Sequence, residues 1–281
     1  MGFKAIAHTT RVPRRVHIVG GPNRGKTQSL TTWPRHTTHP VEGDMHVISM
    51  PGEKGWETLP TGLSDFHGYM WEANAAEKSS SKAVLDELER LTFDTLSGKN
   101  GKVASFAVDG FHKFYDHVLN YVTNGDFFAG LEFEPRLYGR AHEHAKYYMD
   151  RVLSTPCPNV VFTTWDGTEP DRDKLAGEKA SDVPRHILPE LPGKMAKKVM
   201  GEFPITVYAD LKYVTSMVNG KQVNAVQTWW QLRPHGMVWA AAIKAPKEIV
   251  ERLPLQVEQS YNALAKALET AWTATLKGAQ A

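Results

Sequence analysis

The chain has 281 residues, of which 41% are hydrophobic and 23% are charged, a composition typical of a folded globular protein rather than a disordered one. Its single cysteine, Cys157, excludes a disulfide framework and any zinc site built on cysteines. The formal net charge of +2 is unevenly placed, because residues 1–41 carry +7, residues 42–184 carry −10 and residues 185–254 carry +5. This asymmetry indicates either an anionic partner or a set of solvated charged faces.

The first half of the chain alternates short apolar runs with amphipathic ones, as expected for strands and helices around a parallel sheet. Strands are predicted at Arg15–Val19, His46–Met50, Tyr69–Trp71, Val103–Val108 and Asn159–Thr164. Helices are predicted at Lys26–Thr32, Ser81–Leu96, Phe111–Val122 and Arg136–Leu153.

The second half begins with a polar, breaker-rich stretch at 165–184, which predicts a loop. A short helix is predicted at Leu191–Met200 and a strand at Ile205–Ala209. The Asn219-Gly220 pair, flanked by strands at Lys212–Val218 and Gln222–Leu232, predicts a type I′ hairpin. An edge strand at Val238–Ile243 and an amphipathic helix at Gln256–Trp272 follow.

The predicted domain organisation is one domain at 1–250, with a basic N-terminal arm, and a C-terminal helical appendage at 251–281 that either docks on the core or binds a partner. No run approaches the 18 apolar residues of a membrane helix, and the first 15 residues lack the apolar centre of a signal peptide. We therefore expect a cytoplasmic protein without a membrane partner.

The segment with the clearest chemistry is a full match to G-x-x-x-x-G-K-[ST], a pattern expected by chance in about 1% of chains this long. It comprises Gly20, Gly21, Pro22, Asn23, Arg24, Gly25, Lys26 and Thr27, with Gln28 following in the helix. The backbone N–H groups of such a loop and the helix N-terminus bind phosphates. Lys26 adds a positive charge near the β- and γ-phosphates, and the Thr27 hydroxyl is a ligand for Mg²⁺.

Acidic and hydroxyl side chains at the ends of later strands complete the predicted site. Asp109 ends a buried strand, where an acid orders the Mg²⁺ or its water shell beside Thr27, although an Asp there is also a common helix cap. Glu53 follows the second strand and is the candidate general base. Thr163 and Thr164 end another strand and are candidates to sense the γ-phosphate, or are ordinary half-buried strand residues.

Histidine does not predict a metal site in this sequence. His142 and His144 flank Glu143, but positions i and i+2 of a helix face apart. His36 and His39 lie in a predicted loop without a second group of ligands nearby in the sequence.

The order of these features resembles the phage-encoded RecA-like P-loop ATPases and nucleotide-binding proteins of the single-strand-annealing type. The resemblance covers about residues 12–247. It is carried by GGPNRGKT at 20–27, Glu53, AVDG at 107–110, LYGRAHEHAKYYMDRVL at 137–153, LPELPGKMAKKV at 188–199 and WWQLRPHGMVWAAAIKAP at 229–246. The phosphate loop is common to P-loop proteins, whereas the tyrosine-glycine helix start and the LPGK segment point to this group.

The resemblance implies an α/β fold with a RecA-like P-loop NTPase core, in which a mixed, mainly parallel sheet is flanked by helices. The late β-hairpin and the C-terminal helix predicted above complete this fold. It implies ATP hydrolysis with Mg²⁺ coupled to single-stranded DNA in phage recombination, annealing or replication. It also implies a ring or filament of identical chains, action in the host cytoplasm, and a role for Lys244 in trans on the γ-phosphate. Pro246 stands where a second basic residue is expected.

The resemblance implies that the loop at 165–184 faces DNA. This loop carries six acidic residues against three basic ones, so we do not predict that it contacts the DNA backbone. Better candidates are Arg11, Arg14, Arg15, Lys194, Lys197 and Lys198, with Trp229, Trp230 and Trp239 as stacking or core residues. Two alternatives remain open. One is a nucleotide-switched regulatory or scaffold protein with little turnover. The other is a P-loop small-molecule kinase, although its usual arginine-rich lid would here hold only Arg172.

Overall fold

The computed structural model describes residues 14–53, 55, 59, 62–70, 81–99, 101–170, 185–192, 194–218 and 221–278. Its strands are β1 (Arg15–Val19), β2 (Asp44–Ser49), β3 (Phe66–Met70), β4 (Val103–Asp109), β5 (Asn159–Thr164), β6 (Asp166–Pro170), β7 (Arg185–Pro189), β8 (Ile205–Val218), β9 (Lys221–Gln231), β10 (Ala242–Ile243) and β11 (Gln256–Glu258). Its helices are α1 (Lys26–Ser29), a 3₁₀ turn (Leu30–Thr32), α2 (Ser81–Leu96), α3 (Phe111–Val122), α4 (Asp126–Ala129), α5 (Arg136–Leu153), α6 (Met195–Glu202), α7 (Lys247–Arg252) and α8 (Tyr261–Gly278).

Nine of the described strands form one mixed sheet in the order β11-β9-β8-β1-β5-β4-β2-β3, with β10 beside β8. The six strands from β8 to β3 run parallel, whereas β9, β10 and β11 are added antiparallel to their neighbours. This mixed, mainly parallel sheet agrees with the RecA-like core that the resemblance implies, and the late β8–β9 hairpin and the C-terminal helix are those predicted from the sequence pattern. Because parallel strands share a carboxyl edge, the residues that follow β1, β2, β4 and β5 meet at one edge of the sheet.

Two hydrophobic clusters cover the two faces of the sheet. One face packs against α2, α3, α5 and α6, around buried residues such as Leu85, Phe114 and Met149. The other packs against the 3₁₀ turn, α7 and α8, around Trp33 and Leu264. Both clusters draw alternate residues from the central strands, as strand geometry requires. The sheet is therefore buried on both sides, which explains the continuous apolar runs of β4 and β5.

The C-terminal segment contributes to this core. Tyr261, Leu264 and Leu268 of α8 pack with Val16 and Ile18 of β1, and β11 pairs with β9. The part of 251–281 that the structure describes thus extends the sheet and covers one of its faces. Within the described ranges, no helix combines the length and the apolarity that crossing a bilayer requires.

Several predicted elements differ from the structure in type or extent. Asp166–Pro170, predicted as loop, forms β6 and pairs antiparallel with β7, because backbone pairing holds even polar residues in an extended ribbon. Ile205–Val218 is a single long strand rather than two. Gln256–Glu258, predicted as the first turn of a helix, is strand β11, and the helix begins at Tyr261.

The late hairpin is confirmed by its register. Val218 of β8 pairs with Lys221 of β9, which leaves a two-residue connection at 219–220. The Asn219-Gly220 pair itself lies outside the described residues. The predicted edge strand at Val238–Ile243 is reduced to Ala242–Ile243, with an isolated bridge between Val238 and Ile187.

Candidate nucleotide site at the carboxyl edge of the sheet

The phosphate loop connects β1 to α1. Gly25 is the N-cap of α1 with a φ of 77°, and a Cβ there would lie 2.7 Å from Oε1 of Gln259. Both the left-handed backbone and the close side chain therefore require glycine at this position. Asn23 also has a positive φ, of 60°, a conformation that asparagine tolerates. Pro22 and Asn23 form the exposed tip of the loop.

Lys26 points back along its own loop. Its Nζ donates hydrogen bonds to the carbonyl oxygens of Gly20, at 2.6 Å, and Gly21, at 2.8 Å. The side chain is buried, which lowers the pKa of the ammonium group, while the charges of Asp109, Glu53 and Asp166 act in the opposite direction. The lysine charge is thus held at the mouth of the loop, where a phosphate can replace the two carbonyl partners.

Two other residues of the motif are less closely tied to the site. Arg24 forms an ion pair with Asp210, with 3.1 Å between Nη1 and Oδ1 and more than a third of each side chain exposed. Its charge is therefore partly neutralised rather than added to the phosphate site. Gln28 is exposed in the first turn of α1.

The loop is anchored from the far end of the chain. The amide Nε2 of Gln259, just after β11, donates to the carbonyl oxygens of Arg24 and Trp229, at 3.0 and 2.9 Å. This bridge fixes the loop to β9. No sequence motif predicts this bridge, because Gln259 lies more than 230 residues from the loop it holds.

Asp109 ends β4 and is completely buried beside Thr27. One carboxylate oxygen accepts the Thr27 hydroxyl at 2.8 Å, and the other accepts the Thr163 hydroxyl at 2.5 Å. Burial raises the pKa of Asp109, and the two hydroxyl donors and Lys26 counteract this effect. The structure thus brings together the two residues predicted to hold Mg²⁺.

These residues fit a magnesium-bound nucleotide. Thr27 and Asp109 supply the hard oxygen atoms that Mg²⁺ prefers. The loop presents its backbone at a helix N-terminus, which suits phosphate oxygens. Burial and, after it, the charge of Asp109 raise the pKa of Glu53, and a divalent cation nearby would relieve the repulsion between the two carboxylates.

The threonines that end β5 have structural partners. Thr163 donates to Asp109 and accepts a hydrogen bond from the Gly110 amide at 2.9 Å, so it positions Asp109. The hydroxyl of Thr164 bonds to His17 of the neighbouring strand β1. Both hydroxyls therefore have partners within the protein. This arrangement favours the alternative that they are ordinary strand residues over the alternative that they sense the γ-phosphate.

Glu53 lies against the start of α3. A Cβ on Gly110, which has a φ of 88°, would lie 2.5 Å from Cγ of Glu53, so only glycine allows this approach. The Glu53 side chain is 10% exposed. Burial, together with the charge of Asp109, raises the pKa of Glu53 to about 7. Its Oε1 is buried and makes no hydrogen bond within the described part of the chain.

His112, which was not predicted from the sequence, faces Glu53. Its Nε2 lies 3.3 Å from Oε1 of Glu53, and its Nδ1 accepts the Trp165 amide N–H at 3.3 Å. Since Nδ1 is an acceptor, the ring proton is on Nε2, the nitrogen nearer to the carboxylate, although the two groups do not meet hydrogen-bond geometry. Burial lowers the pKa of His112 to about 3, so the ring is neutral. The only sequence signal was its place three residues after Asp109, at the start of a helix.

A cleft of about 430 Å³ opens between the start of α3 and the β6–β7 ribbon. Its lining includes His112, Lys113, Asp116, Trp165 and Glu190. The Trp165 ring stacks on His112 and carries the Lys113 ammonium 5.1 Å above its centre. Burial raises the pKa of Asp116 to about 6. The cleft thus lies between His112, which faces Glu53, and the base of the ribbon.

Asp166 is a third carboxylate at the phosphate loop. Its Oδ1 lies 3.2 Å from an ideal Cβ on Gly21, and its Oδ2 accepts the Tyr208 hydroxyl at 2.8 Å. The sequence assigned Asp166 to an acidic loop, and only the β6 strand places it here. The remaining acidic and basic residues at 171–184 lie outside the described residues.

Lys244 lies at the other end of the sheet from the phosphate loop of its own chain. Its backbone N–H bonds to Pro204, before the start of β8, and its Nζ donates to the Gly201 carbonyl. Gly20 instead lies beside Ala209, which is roughly 13 Å along β8 from Ile205, the first residue of that strand. Lys244 is thus not brought to the site within one chain.

The predicted DNA contacts divide into structural and exposed residues. The Arg15 guanidinium donates to backbone carbonyls of Leu153, Arg14, Thr155, Cys157 and Pro158. It therefore clamps the connection between α5 and β5 rather than remaining free for DNA. Arg14 is exposed, and Arg11 lies outside the described residues. Trp230 is buried in the core, whereas Trp239 is 42% exposed and stacks on His186.

The sequence matches no protein-family model, and it matches no curated protein. Among solved structures, the chain is similar to a prototypical ATPase from the type III secretion system of pathogenic bacteria, at 13% identity and a TM-score of 0.39, over 70% of this chain and 52% of that one. It is also similar to the assembled ATPase EscN from the enteropathogenic E. coli type III secretion system, at 15% identity and a TM-score of 0.38, over 70% and 42% of the two chains. The chain thus spans about half the length of the structures that it matches, or less.

Proposed function

We propose that the protein binds ATP with Mg²⁺ and hydrolyses it. The observation that carries this proposal is the position of Glu53, a buried carboxylate with one unbonded oxygen, beside the Thr27–Asp109 pair and the phosphate loop. A nucleotide-binding loop alone does not need such a base. A general base next to the Mg²⁺ ligands is what hydrolysis requires.

In this proposal each residue has a distinct task. The loop amides and Lys26 hold the phosphates, and Thr27 and Asp109 hold Mg²⁺, which neutralises charge on the phosphate oxygens. Glu53 accepts a proton from a water molecule whose oxygen forms a bond to the γ-phosphorus. The bond from that phosphorus to the oxygen of ADP breaks, and the products are ADP and inorganic phosphate.

A small-molecule kinase is the second candidate function, and the cleft beside Glu53 supports it. The cleft holds an aromatic ring, a lysine and two carboxylates, so a small polar acceptor would fit there. In that case Glu53 would deprotonate a hydroxyl group of the acceptor rather than water. The measurement that separates the two functions is release of inorganic phosphate from ATP in the absence of any acceptor.

We further propose that turnover is coupled to single-stranded DNA in a homo-oligomeric ring or filament, in phage recombination, annealing or replication. The sequence resemblance supports this role, and exposed basic residues are present at Arg14, Lys194, Lys197 and Lys198. A salt titration of DNA binding tests it, since replacing phosphate contacts reduces the salt dependence. Arg14→Ala should reduce the slope of that dependence. An unchanged slope would remove Arg14 from the interface.

The hydrolysis proposal is tested with two variants that fail differently. Lys26→Ala should weaken ATP binding, because it removes the charge from the loop. Glu53→Gln should bind ATP as the parent does but release phosphate at least about 100-fold more slowly, because it lacks the base. Retention of parental turnover by Glu53→Gln would contradict the assignment of the base. Binding without turnover by the parent itself would favour a nucleotide-operated switch.

A further inference from the structure

Three side chains that commonly ligate metals meet at the end of β2 remote from the nucleotide site. Asp44 and His46 are two residues apart on β2, so strand alternation places them on one face. His67 of β3 pairs in register with His46. One ligand atom from each of the three lies within 4.8 Å of the other two. The sequence did not predict this cluster, because two parallel strands bring its members together.

The cluster is separate from the predicted Mg²⁺ site. Ser49, at the other end of β2, pairs with Asp109. Asp44 lies five residues before Ser49, which corresponds to about 16 Å along an extended strand. A metal bound at each end of β2 would therefore be bound by different residues.

His46 has a buried nitrogen with no partner. Its side chain is 3% exposed and its Nδ1 lies 3.0 Å from the Tyr69 hydroxyl, whereas its Nε2 makes no hydrogen bond to any described residue. Leaving a buried polar atom unsatisfied is costly. A metal-ligating histidine typically has one nitrogen held by a second group and the other free for the ion.

Asp44 supplies a carboxylate that is already held between two imidazoles. Its Oδ2 lies 2.7 Å from Nε2 of His67, and its Oδ1 lies 2.9 Å from Nδ1 of His36. Ligands of a tetrahedral site with 2.0–2.1 Å bonds are roughly 3.3 Å apart, so Asp44 and His67 need to separate by only about 0.6 Å. The side chains of Asp44 and His67 are 30% and 42% exposed, which gives an ion access from solvent.

We propose that Asp44, His46 and His67 bind one first-row transition-metal dication of the Zn²⁺ type. In this site Oδ2 of Asp44 is the ligand, and His36 stays bonded to Oδ1. Two imidazoles and one carboxylate suit Zn²⁺ and its neighbours in the periodic table, whereas Mg²⁺ takes oxygen ligands. The ion joins β2 to the edge strand β3 and, through His36, to the connection that precedes β2. Its role is to stabilise this edge of the sheet.

The test uses the full chain without nucleotide, treated with a chelator and then titrated with Co²⁺ and, in competition, with Zn²⁺. The parent should take up one equivalent, seen in the visible absorption of Co²⁺, and its melting temperature should rise with Zn²⁺ but not with Mg²⁺. His67→Ala, at a partly exposed position, should weaken the affinity at least about 100-fold while keeping the parental circular dichroism. His46→Ala should do the same if it folds.

Two control variants separate this site from other metal binding. His39→Ala removes a histidine of the same connection that bonds to Asn262, and Asp109→Asn alters the Mg²⁺ site. Both should keep the Co²⁺ absorption of the parent. Parental affinity in His67→Ala, or the absence of a saturable Co²⁺ site in the parent, would overturn the proposal. Loss of the site in Asp109→Asn with retention in His67→Ala would assign the metal to the nucleotide site instead.

Discussion

Glu53 is held where a carboxylate is poorly solvated, and its Oε1 makes no hydrogen bond to any described residue. Burial and the neighbouring Asp109 charge raise its pKa to about 7, and Lys26 and Lys113 act in the opposite direction. A general base is most effective when its pKa lies near the working pH. Because the base acts in its deprotonated form, we expect turnover to rise with pH through about 7 and to fall below it.

His112 is expected to act through Glu53 as a positioning residue. Its ring N–H faces the Glu53 carboxylate and favours the charged form. His112→Phe keeps the ring that stacks on Trp165 but removes both nitrogens. Since the charged form of Glu53 loses this neighbour, the midpoint of the pH–rate profile should move to higher pH while ATP binding is retained. The measurement is kcat/KM for ATP between pH 5.5 and 9.

The matched control for that experiment is His117→Phe. His117 is also buried on α3, but its partner is Ser81, away from the nucleotide site. Its replacement should leave the midpoint where the parent has it. If both variants shift the midpoint equally, or if neither does, His112 has no specific effect on Glu53.

A buried ion pair connects two segments between secondary-structure elements. Arg35, after the 3₁₀ turn, lies 3.0 Å from Asp65, before β3, and the two side chains are 7% and 1% exposed. Asp65 also accepts the Thr37 amide N–H at 3.0 Å. Burial alone raises the pKa of Asp65, but the hydrogen bonds from Thr37 and the Arg35 charge outweigh it, so the pKa is lowered.

Asp65→Ala should lower the free energy of unfolding by about 3–5 kcal/mol, because it leaves Arg35 buried without its partner. Urea denaturation at pH 7 measures this change. The parent should lose the stability that comes from the lowered pKa of Asp65 progressively as the pH falls below about 4 and through that pKa, since this contribution is complete only above the unfolded pKa. Asp86→Ala, which breaks the exposed pair with Lys82, is the control and should cost less than about 1 kcal/mol. Equal effects of the two variants would contradict the role of burial.

Element positions were predictable where apolar periodicity and breakers agree. The helices Ser81–Leu96, Phe111–Val122 and Arg136–Leu153 have the predicted bounds, as does the strand Asn159–Thr164. The predictions failed where tertiary pairing decides the conformation. Asp166–Pro170 is polar and contains glycine, yet β7 holds it extended, and Gln256–Glu258 is a strand only because β9 lies beside it.

The candidate site was predictable to the same extent. The loop motif and the strand ends indicated Lys26, Thr27, Asp109 and Glu53, and the structure brings these four together. The residues that tune them were not predicted as part of the site. His112, Asp166 and Gln259 have no motif of their own, and their roles follow from which strand ends share an edge.

The C-terminal helix is integrated with the rest of the molecule. Leu264 is fully buried against β1 and the 3₁₀ turn. Leu264→Ala should therefore lower the free energy of unfolding by about 2–5 kcal/mol in a single transition of the whole chain. Urea denaturation followed by circular dichroism and by tryptophan fluorescence measures it. Lys266→Ala, at an exposed position of the same helix, should change it by less than about 0.5 kcal/mol. A separate early transition would instead indicate an independent appendage.

The two edges of the sheet carry different candidate functional residues. The nucleotide site lies at the carboxyl edge, whereas Lys244 lies near the start of β8, at the opposite edge. Within one chain Lys244 is therefore remote from the phosphates. Head-to-tail assembly would place the Lys244 end of one protomer against the nucleotide site of the next. A role for Lys244 in hydrolysis thus requires an assembly, and the two can be tested together.

Lys244→Ala should bind ATP as the parent does but release phosphate at least about 100-fold more slowly, because a charge acting on the γ-phosphate is lost. Lys26→Ala has the complementary defect, with a disabled nucleotide site and an intact Lys244. An equimolar mixture should regain up to about one quarter of the parental turnover, since a random assembly unites both intact residues at that share of its interfaces. Lys247→Ala, three residues away and paired only with Glu251 among the described residues, is the control and should retain parental turnover. Undiminished turnover in Lys244→Ala would show that Lys244 has no part in hydrolysis. A defect without recovery in the mixture would show that it does not act across an interface.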